Sequence, residues 1–306
     1  AMHAGLVGKH AIERLARIPV EVDIASEFRY RDPILTKEDL VVIISQSGET
    51  ADTLAALRLA KERGAHTLGV VNVVGSSIAR EADSVITTWA GPEIAVASTK
   101  AYSVQVAVML LLALKIAQAH RTMTEEELLN LTAQIADLPR LVEQVLASEE
   151  LYKAYARRLV DIEDMFYIGR GIDYAMAEES ALKIKEISYI HSEAYAAGEL
   201  KHGTISLIEE GTPVVALATQ RALFEKMVSN IKEVKARGAR VLLVCHEGTE
   251  IPEDACDDVF FIPDVNDLLT PVLAILPMQM IAYYASVLRG CDVDKPRNLA
   301  KSVTVE

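Results

Sequence analysis

Three hydroxyls and a glycine fall within six residues at Ser45-Gln46-Ser47-Gly48-Glu49-Thr50, between an apolar stretch and a helical one. That setting suits an anion. A helix start offers unpaired N–H groups and partial positive charge, glycine lets the backbone come close, and hydroxyls donate neutral hydrogen bonds. Phosphate can be held there without lysine or arginine. The plainer reading is a strand–helix turn whose serine or threonine caps the helix. A second cluster, Ala97-Ser98-Thr99-Lys100, opens a long apolar helix, and ordinary capping explains it equally well. Farther on, Glu179, Lys183 and Glu186 fall within about 60° of one another on a helix. Around them stand Ala177, Ala181, Leu182, Ile184, Ile187 and Tyr189. Such a stripe is either a solvated salt-bridge ladder, since Glu179 and Lys183 have the favourable i,i+4 order, or a carboxylate, Glu186, held beside a cation to move protons. His202 closes a helix-capable stretch, residues 195–203, and histidine is a residue type that can serve as general acid or base. Lys301 is flanked by Leu299, Ala300 and Val303. A lysine in apolar surroundings loses its proton more readily and can attack a carbonyl.

Two similar halves carry these groups. In the first, residues 40–44 read as a strand, 50–63 as a helix stopped by Gly64, and 67–73 and 84–87 as strands. In the second, residues 213–217 read as a strand, 221–237 as a helix stopped by Gly238, and 241–245 and 259–262 as strands. Glycine just past a helix is the usual stop. Arg63-Gly64-Ala65 recurs as Arg237-Gly238-Ala239, and Gln105 as Gln279, both 174 positions later. Fully apolar strands alternating with helices mean parallel sheets covered on both faces. The expected fold is therefore α/β, with two tandem doubly wound domains. The expected boundaries are residues 1–121, a helical connector 122–159, a second domain 160–290 and a tail 291–306. In open parallel sheets ligands bind beyond the carboxyl ends of the strands. There the first half has the hydroxyl loop, and the second has Ala218-Thr219-Gln220-Arg221.

The totals set limits. The chain has 306 residues, enough for two domains, and a net charge of −13. That charge disfavours nucleic acid and anionic membranes, which need a basic surface, but not a small anion in a local pocket. The three cysteines, Cys245, Cys256 and Cys291, form no metal-ligand spacing, and the odd count fits a reducing cytoplasm. The longest apolar run, residues 106–114, is too short to cross a bilayer. It lies in a helix, 98–119, apolar on most faces, which calls for burial in the protein or an interface.

Taken together, residues 45–53, Ala97-Ser98-Thr99-Lys100, residues 181–186, Glu199-Leu200-Lys201-His202-Gly203 and the ending Pro296-Arg297-Asn298-Leu299-Ala300-Lys301-Ser302-Val303-Thr304-Val305-Glu306 closely resemble the glutamine–fructose-6-phosphate aminotransferase (glucosamine-6-phosphate synthase) family. The likeness runs over essentially the whole chain. The loop alone marks only the broader sugar isomerase (SIS) domain family, whereas the His202 segment and the ending are far more specific. The resemblance implies that Ser45, Gln46, Ser47 and Thr50 hold the phosphate of fructose 6-phosphate, and that Val96, Ser98 and Ala300 line the sugar site. It implies that His202, from the neighbouring subunit of a homodimer, assists ring opening. Lys301 would form a Schiff base with the ketose, ammonia would displace the lysine, and Glu186, beside Lys183, would carry the proton between C1 and C2 toward glucosamine 6-phosphate. No cofactor is implied. The chain departs from the family with Thr204 and Ala175 where proline is common and Ser180 where glycine is. None of these is a reacting group, so only shape effects are expected.

The resemblance also implies residues ahead of Ala1: a glutaminase half with an N-terminal cysteine, a first strand, and a Gly-Thr-Ser turn at the sugar-phosphate site. On that expectation Ala1-Met2 reads as a cloning remnant, and the chain folds, releases no ammonia from glutamine and catalyses weakly. Two rivals share the loop. A sugar-phosphate sensor needs neither Glu186, His202 nor Lys301, and no basic helix–turn–helix accompanies the loop. A deglycase of phosphorylated fructose–amine adducts shares the chemistry, but Asn298-Leu299-Ala300-Lys301-Ser302 favours the synthase.

Overall fold

A computed structural model describes residues 1–301 of the chain. Ser302, Val303, Thr304, Val305 and Glu306, which close the ending that carries the resemblance, lie outside the described residues, and so does the expected packing of Val303 around Lys301. The first half opens with α1 (Met2–Leu15) and the short α2 (Ala25–Phe28). It continues through β1 (Leu40–Ser45), α3 (Ala51–Glu62), β2 (His66–Val71), α4 (Ser77–Glu81), β3 (Ser84–Thr87) and α5 (Lys100–His120). The connecting helices are α6 (Glu125–Leu146) and α7 (Glu149–Ala156). The second half contains β4 (Asp164–Gly169), α8 (Ile172–Ser188), β5 (His191–Ala196), β6 (Pro213–Leu217), α9 (Phe224–Lys235), β7 (Arg240–His246), β8 (Asp258–Ile262) and α10 (Thr270–Leu288).

Both sheets are parallel, with strand orders β1-β2-β3 and β5-β4-β6-β7-β8. Every residue of β6 is buried, and all but the first of β7. Strands covered on both faces read as continuous apolar runs rather than alternating ones. The repeat holds in three dimensions: β2 starts at His66 and β7 at Arg240, β3 at Ser84 and β8 at Asp258, each 174 positions later. The two sheets differ in extent. Residues 17–24 stand 174 positions before the β5 region yet form no strand. The described sheet of the first half has no counterpart of β4, the sole partner of β5, so this stretch has no ladder to join.

Four helices join the halves. α1 packs on α5 and on α8, and α8 packs on α10. Their apolar faces share one core, with Val7, Val106, Leu110, Ile184, Leu273 and Ile281 all nearly inaccessible. α5 and α10 are each long and apolar enough to cross a bilayer, with 50% and 67% of their most apolar windows buried inside the protein. A helix apolar all round belongs in such a core. The connector begins at a capping box, in which Thr124 Oγ accepts from Glu127 N at 3.2 Å and the Glu127 carboxylate accepts from Thr124 N at 2.7 Å.

The stretch 195–203 departs from the expected helix. Tyr195 and Ala196 end β5, paired with Ile168 and Gly169 of β4, and only the short turn Leu200–His202 is helical. Tertiary pairing here outweighs the helix preference of Ala196 and Ala197.

Candidate functional site

The site lies beyond the carboxyl end of β1, where the chain passes through the hydroxyl loop into α3. Ser45 is buried, and its Oγ accepts from Gly48 N at 3.0 Å. Ser47 Oγ accepts from Glu49 N at 3.3 Å. Gly48 has φ +68°, and a β-carbon there would stand 2.1 Å from Ser76 Oγ, so the turn admits glycine alone on both counts. The Ser76 hydroxyl is buried with no hydrogen-bond partner among the described residues. Thr50 occupies the N-cap of α3 in extended backbone, yet its side chain makes no capping bond. Capping by Thr50 therefore fails: among the described residues no side chain takes the first-turn donors of α3, which stand beside hydroxyls that the helix does not use. Glu49 is drawn to the neighbouring helix start, accepting from Ser77 Oγ at 2.7 Å and Ser77 N at 2.8 Å. Those two bonds hold its carboxyl below the usual range. Gln46 is half-buried in the same loop.

A second loop, residues 88–99, faces the C-terminal segment. Asn72 shapes it, with Oδ1 accepting from Thr88 Oγ1 at 3.0 Å and Ala90 N at 2.9 Å while Nδ2 donates to Gly91 O at 2.7 Å. The Glu93 carboxylate accepts from Ala101 N at 2.8 Å in the first turn of α5. Val96 N donates to Asp294 O at 2.9 Å, pinning the loop to the tail, and Ser98 is half-buried nearby in sequence. The tail is tied to α8 as well. Arg297 N donates to Tyr189 Oη at 2.8 Å and its guanidinium lies 4.1 Å from the centre of that ring. From there the chain passes exposed Ala300 to Lys301, whose Nζ donates to Ala95 O at 2.5 Å. Partial burial lowers the pKa of this ammonium. Lys183 and Lys100 lower it further, against the opposing pull of Glu93 and Glu186.

The charged stripe of α8 points inward, which overturns the solvated-ladder reading. Glu179 and Lys183 are 3% and 4% exposed and Glu186 is 21% exposed. Lys183 Nζ lies 2.5 Å from Glu186 Oε2 and 3.4 Å from Glu179 Oε1. From α1, His3 Nδ1 lies 2.6 Å from Glu179 Oε2. Burial disfavours the Lys183 charge, but the two carboxylates outweigh it and raise the pKa. Burial likewise works against ionised Glu179, and the His3 hydrogen bond and Lys183 more than offset it, so its pKa is lowered. A buried cation thus pairs with two carboxylates and helps hold Glu179 ionised, while Glu186 is partly open to solvent and lies within the electrostatic reach of Lys301.

The structure brings Glu186, Lys183, Lys301 and the Val96 loop together. His202 is not among them. It is exposed on its short turn, and no side-chain bond or ion pair joins it to Glu186 or Lys301 among the described residues. His3 went unread in the sequence because a lone histidine on an amphipathic helix carries no signal until α1 is packed on α8. Among the described residues no group of three His, Cys, Asp or Glu side chains could hold a metal ion.

The SIS domain family matches residues 1–115 and 158–289. The chain is 63% identical over 306 residues to the glutamine–fructose-6-phosphate aminotransferase [isomerizing] of Clostridium acetobutylicum, covering 100% of this chain and 50% of that protein. It therefore spans about half the length of that curated relative. It superposes on the C-terminal domain of glucosamine-fructose-6-phosphate aminotransferase from Francisella tularensis with a TM-score of 0.93 at 38% identity, covering 96% of this chain and 83% of that one. A glucosamine-6-phosphate deaminase from Thermotoga maritima aligns with a TM-score of 0.79 at 25% identity, covering 99% of this chain and 87% of that one.

Proposed function

The chain belongs to the SIS domain family, and within it to the glutamine–fructose-6-phosphate aminotransferases as their C-terminal half, and from that premise we propose that it converts fructose 6-phosphate and ammonia to glucosamine 6-phosphate. The observation that carries this reading is the buried Lys183 clamped between Glu179 and Glu186, with the ammonium of Lys301 in the same field. A binding module has no need to bury such a cluster, because burying charge is costly.

The phosphate sits at Ser45, Gln46, Ser47 and Thr50, facing the open first turn of α3. Val96, Ser98 and Ala300 border the sugar. Lys301, deprotonated more easily than an ordinary lysine, adds through Nζ to the C2 carbonyl and water leaves, forming the Schiff base. Ammonia replaces the lysine at C2. Glu186 takes a proton from C1 and returns it to C2 while the O1 hydroxyl proton passes to the imine nitrogen, leaving an aldehyde at C1 and an amine at C2. Lys183, bonded to Glu186 Oε2, fixes the carboxylate that acts first as the base.

Titration calorimetry with fructose 6-phosphate tests the phosphate assignment. Each hydrogen bond to a charged group contributes about 1.5–3 kcal/mol. The Ser47→Ala/Thr50→Ala variant is therefore expected to bind about two to four powers of ten more weakly, if the losses add. Unchanged affinity would move the phosphate elsewhere.

The exposed position of His202 fits a residue that serves the partner's site in a two-fold dimer. Mixing His202→Ala chains with Lys301→Ala chains is then expected to restore part of the activity that each lacks alone. Proven heterodimers with no recovered activity would confine the site to one chain.

A further inference from the structure

The loop after β6 stands where the hydroxyl loop stands after β1, and it is filled from within. Asp173, in the first turn of α8, is 1% exposed. Its Oδ2 accepts from Thr219 N at 2.7 Å and Gln220 N at 3.3 Å, and its Oδ1 from Thr219 Oγ1 at 2.5 Å. Gly169, the last residue of β4, makes this approach possible, since a β-carbon there would lie 2.5 Å from the Asp173 carbonyl. Thr270 Oγ1 stands 2.7 Å from the Thr219 hydroxyl, and Gln220 Nε2 donates to Asp267 O at 3.1 Å, so the shell is itself held in place. Two backbone N–H groups and a hydroxyl converging beyond a parallel strand form an oxyanion cradle.

We propose that the second half retains the oxyanion-binding position of the duplicated fold, built by Thr219 and Gln220, and that the Asp173 carboxylate occupies it as an internal ligand. Removing that carboxylate leaves a site for a small free oxyanion, and formate carries the same two carboxylate oxygens. The duplication then has one anion position open to substrate and one closed by the chain itself. The inference rests on the contacts at Asp173 and stands whatever sugar phosphate the first half takes. Burial pushes the Asp173 carboxyl up to about 7 despite its three donors, so the experiment belongs at pH 8, where both it and formate are ionised.

The test is the melting temperature of the full chain in sodium formate against sodium chloride at equal ionic strength. Asp173→Ala is expected to show a saturable rise specific to formate, on the order of a few degrees. Wild type and Asp173→Asn, with the position filled, should show none. Adding Thr219→Val to Asp173→Ala should abolish the response. If Asp173→Ala does not fold in chloride, refolding yield in formate is the readout, and formate-dependent recovery supports the proposal. Equal response to the two salts in Asp173→Ala, by either readout, or an equal formate response in wild type, would overturn it.

Discussion

Replacing Lys183 with methionine is expected to remove isomerase activity and to cost on the order of 3–5 kcal/mol of folding stability. Lys183 is 4% exposed between two carboxylates. Methionine fills much the same space and leaves Glu179 buried without the Lys183 charge, with His3 still bonded to it. The pH dependence follows. In wild type the lowered Glu179 pKa contributes stability above the ordinary carboxylate range that is lost as pH falls through the folded value. The raised Lys183 pKa contributes stability below the ordinary lysine range that is lost as pH rises through its folded value. The pair is therefore stabilising throughout the neutral region. In Lys183→Met the buried carboxyl favours its proton, so the deficit should be smaller at pH 5 than at pH 8. Urea denaturation at the two pH values measures this. Adding Glu179→Gln should recover part of the stability and none of the activity. A variant within 1 kcal/mol of wild type at pH 8 would mean the cluster is not buried as described.

Glu186→Gln is expected to act on chemistry rather than on folding. The side chain is 21% exposed and Lys183 keeps its second partner, Glu179, at 3.4 Å, so the loss of stability should be small. Glutamine cannot take a proton from C1. General acid–base groups contribute about 10²–10⁴ in rate, and kcat for conversion of fructose 6-phosphate should fall by that factor while sugar-phosphate affinity stays within a few-fold. Solvent hydrogen exchange at C1 separates this from a positional effect, because it should disappear with the carboxylate. Retained exchange in Glu186→Gln would assign the proton transfer to another group.

The parts of this account differ in how openly the sequence displays them. The recurrence at 174 positions was readable because β6 is apolar throughout and β7 is apolar over residues 241–245, and glycines stop the helix in each half. The hydroxyl loop was readable as chemistry but not separable from a helix cap until Thr50 was seen to make no capping bond. The Glu179–Lys183–Glu186 spacing is the same for a solvated stripe and a buried cluster. What decides between them is α1 bringing His3 against Glu179, a contact across 176 positions that local periodicity does not encode. Asp173 looks like an ordinary acidic residue favoured at a helix start, and only the arrival of Thr219 makes it an internal ligand. The stretch 195–203 misled because alanine-rich composition favours helix locally, while pairing with β4 claims Tyr195 and Ala196 for the sheet.

The central claim is that Lys301, held beside Ala95 O at the edge of the Glu186 cluster, attacks the substrate carbonyl. Incubation with fructose 6-phosphate and borohydride, followed by peptide mapping, tests it directly. The account predicts one reduced sugar-phosphate adduct at Lys301, retained in Glu186→Gln, diminished in Ser47→Ala/Thr50→Ala, and formed at a lower pH than at ordinary lysines. An equal yield of adduct in Lys301→Met, or no adduct in wild type that demonstrably binds fructose 6-phosphate, would contradict it.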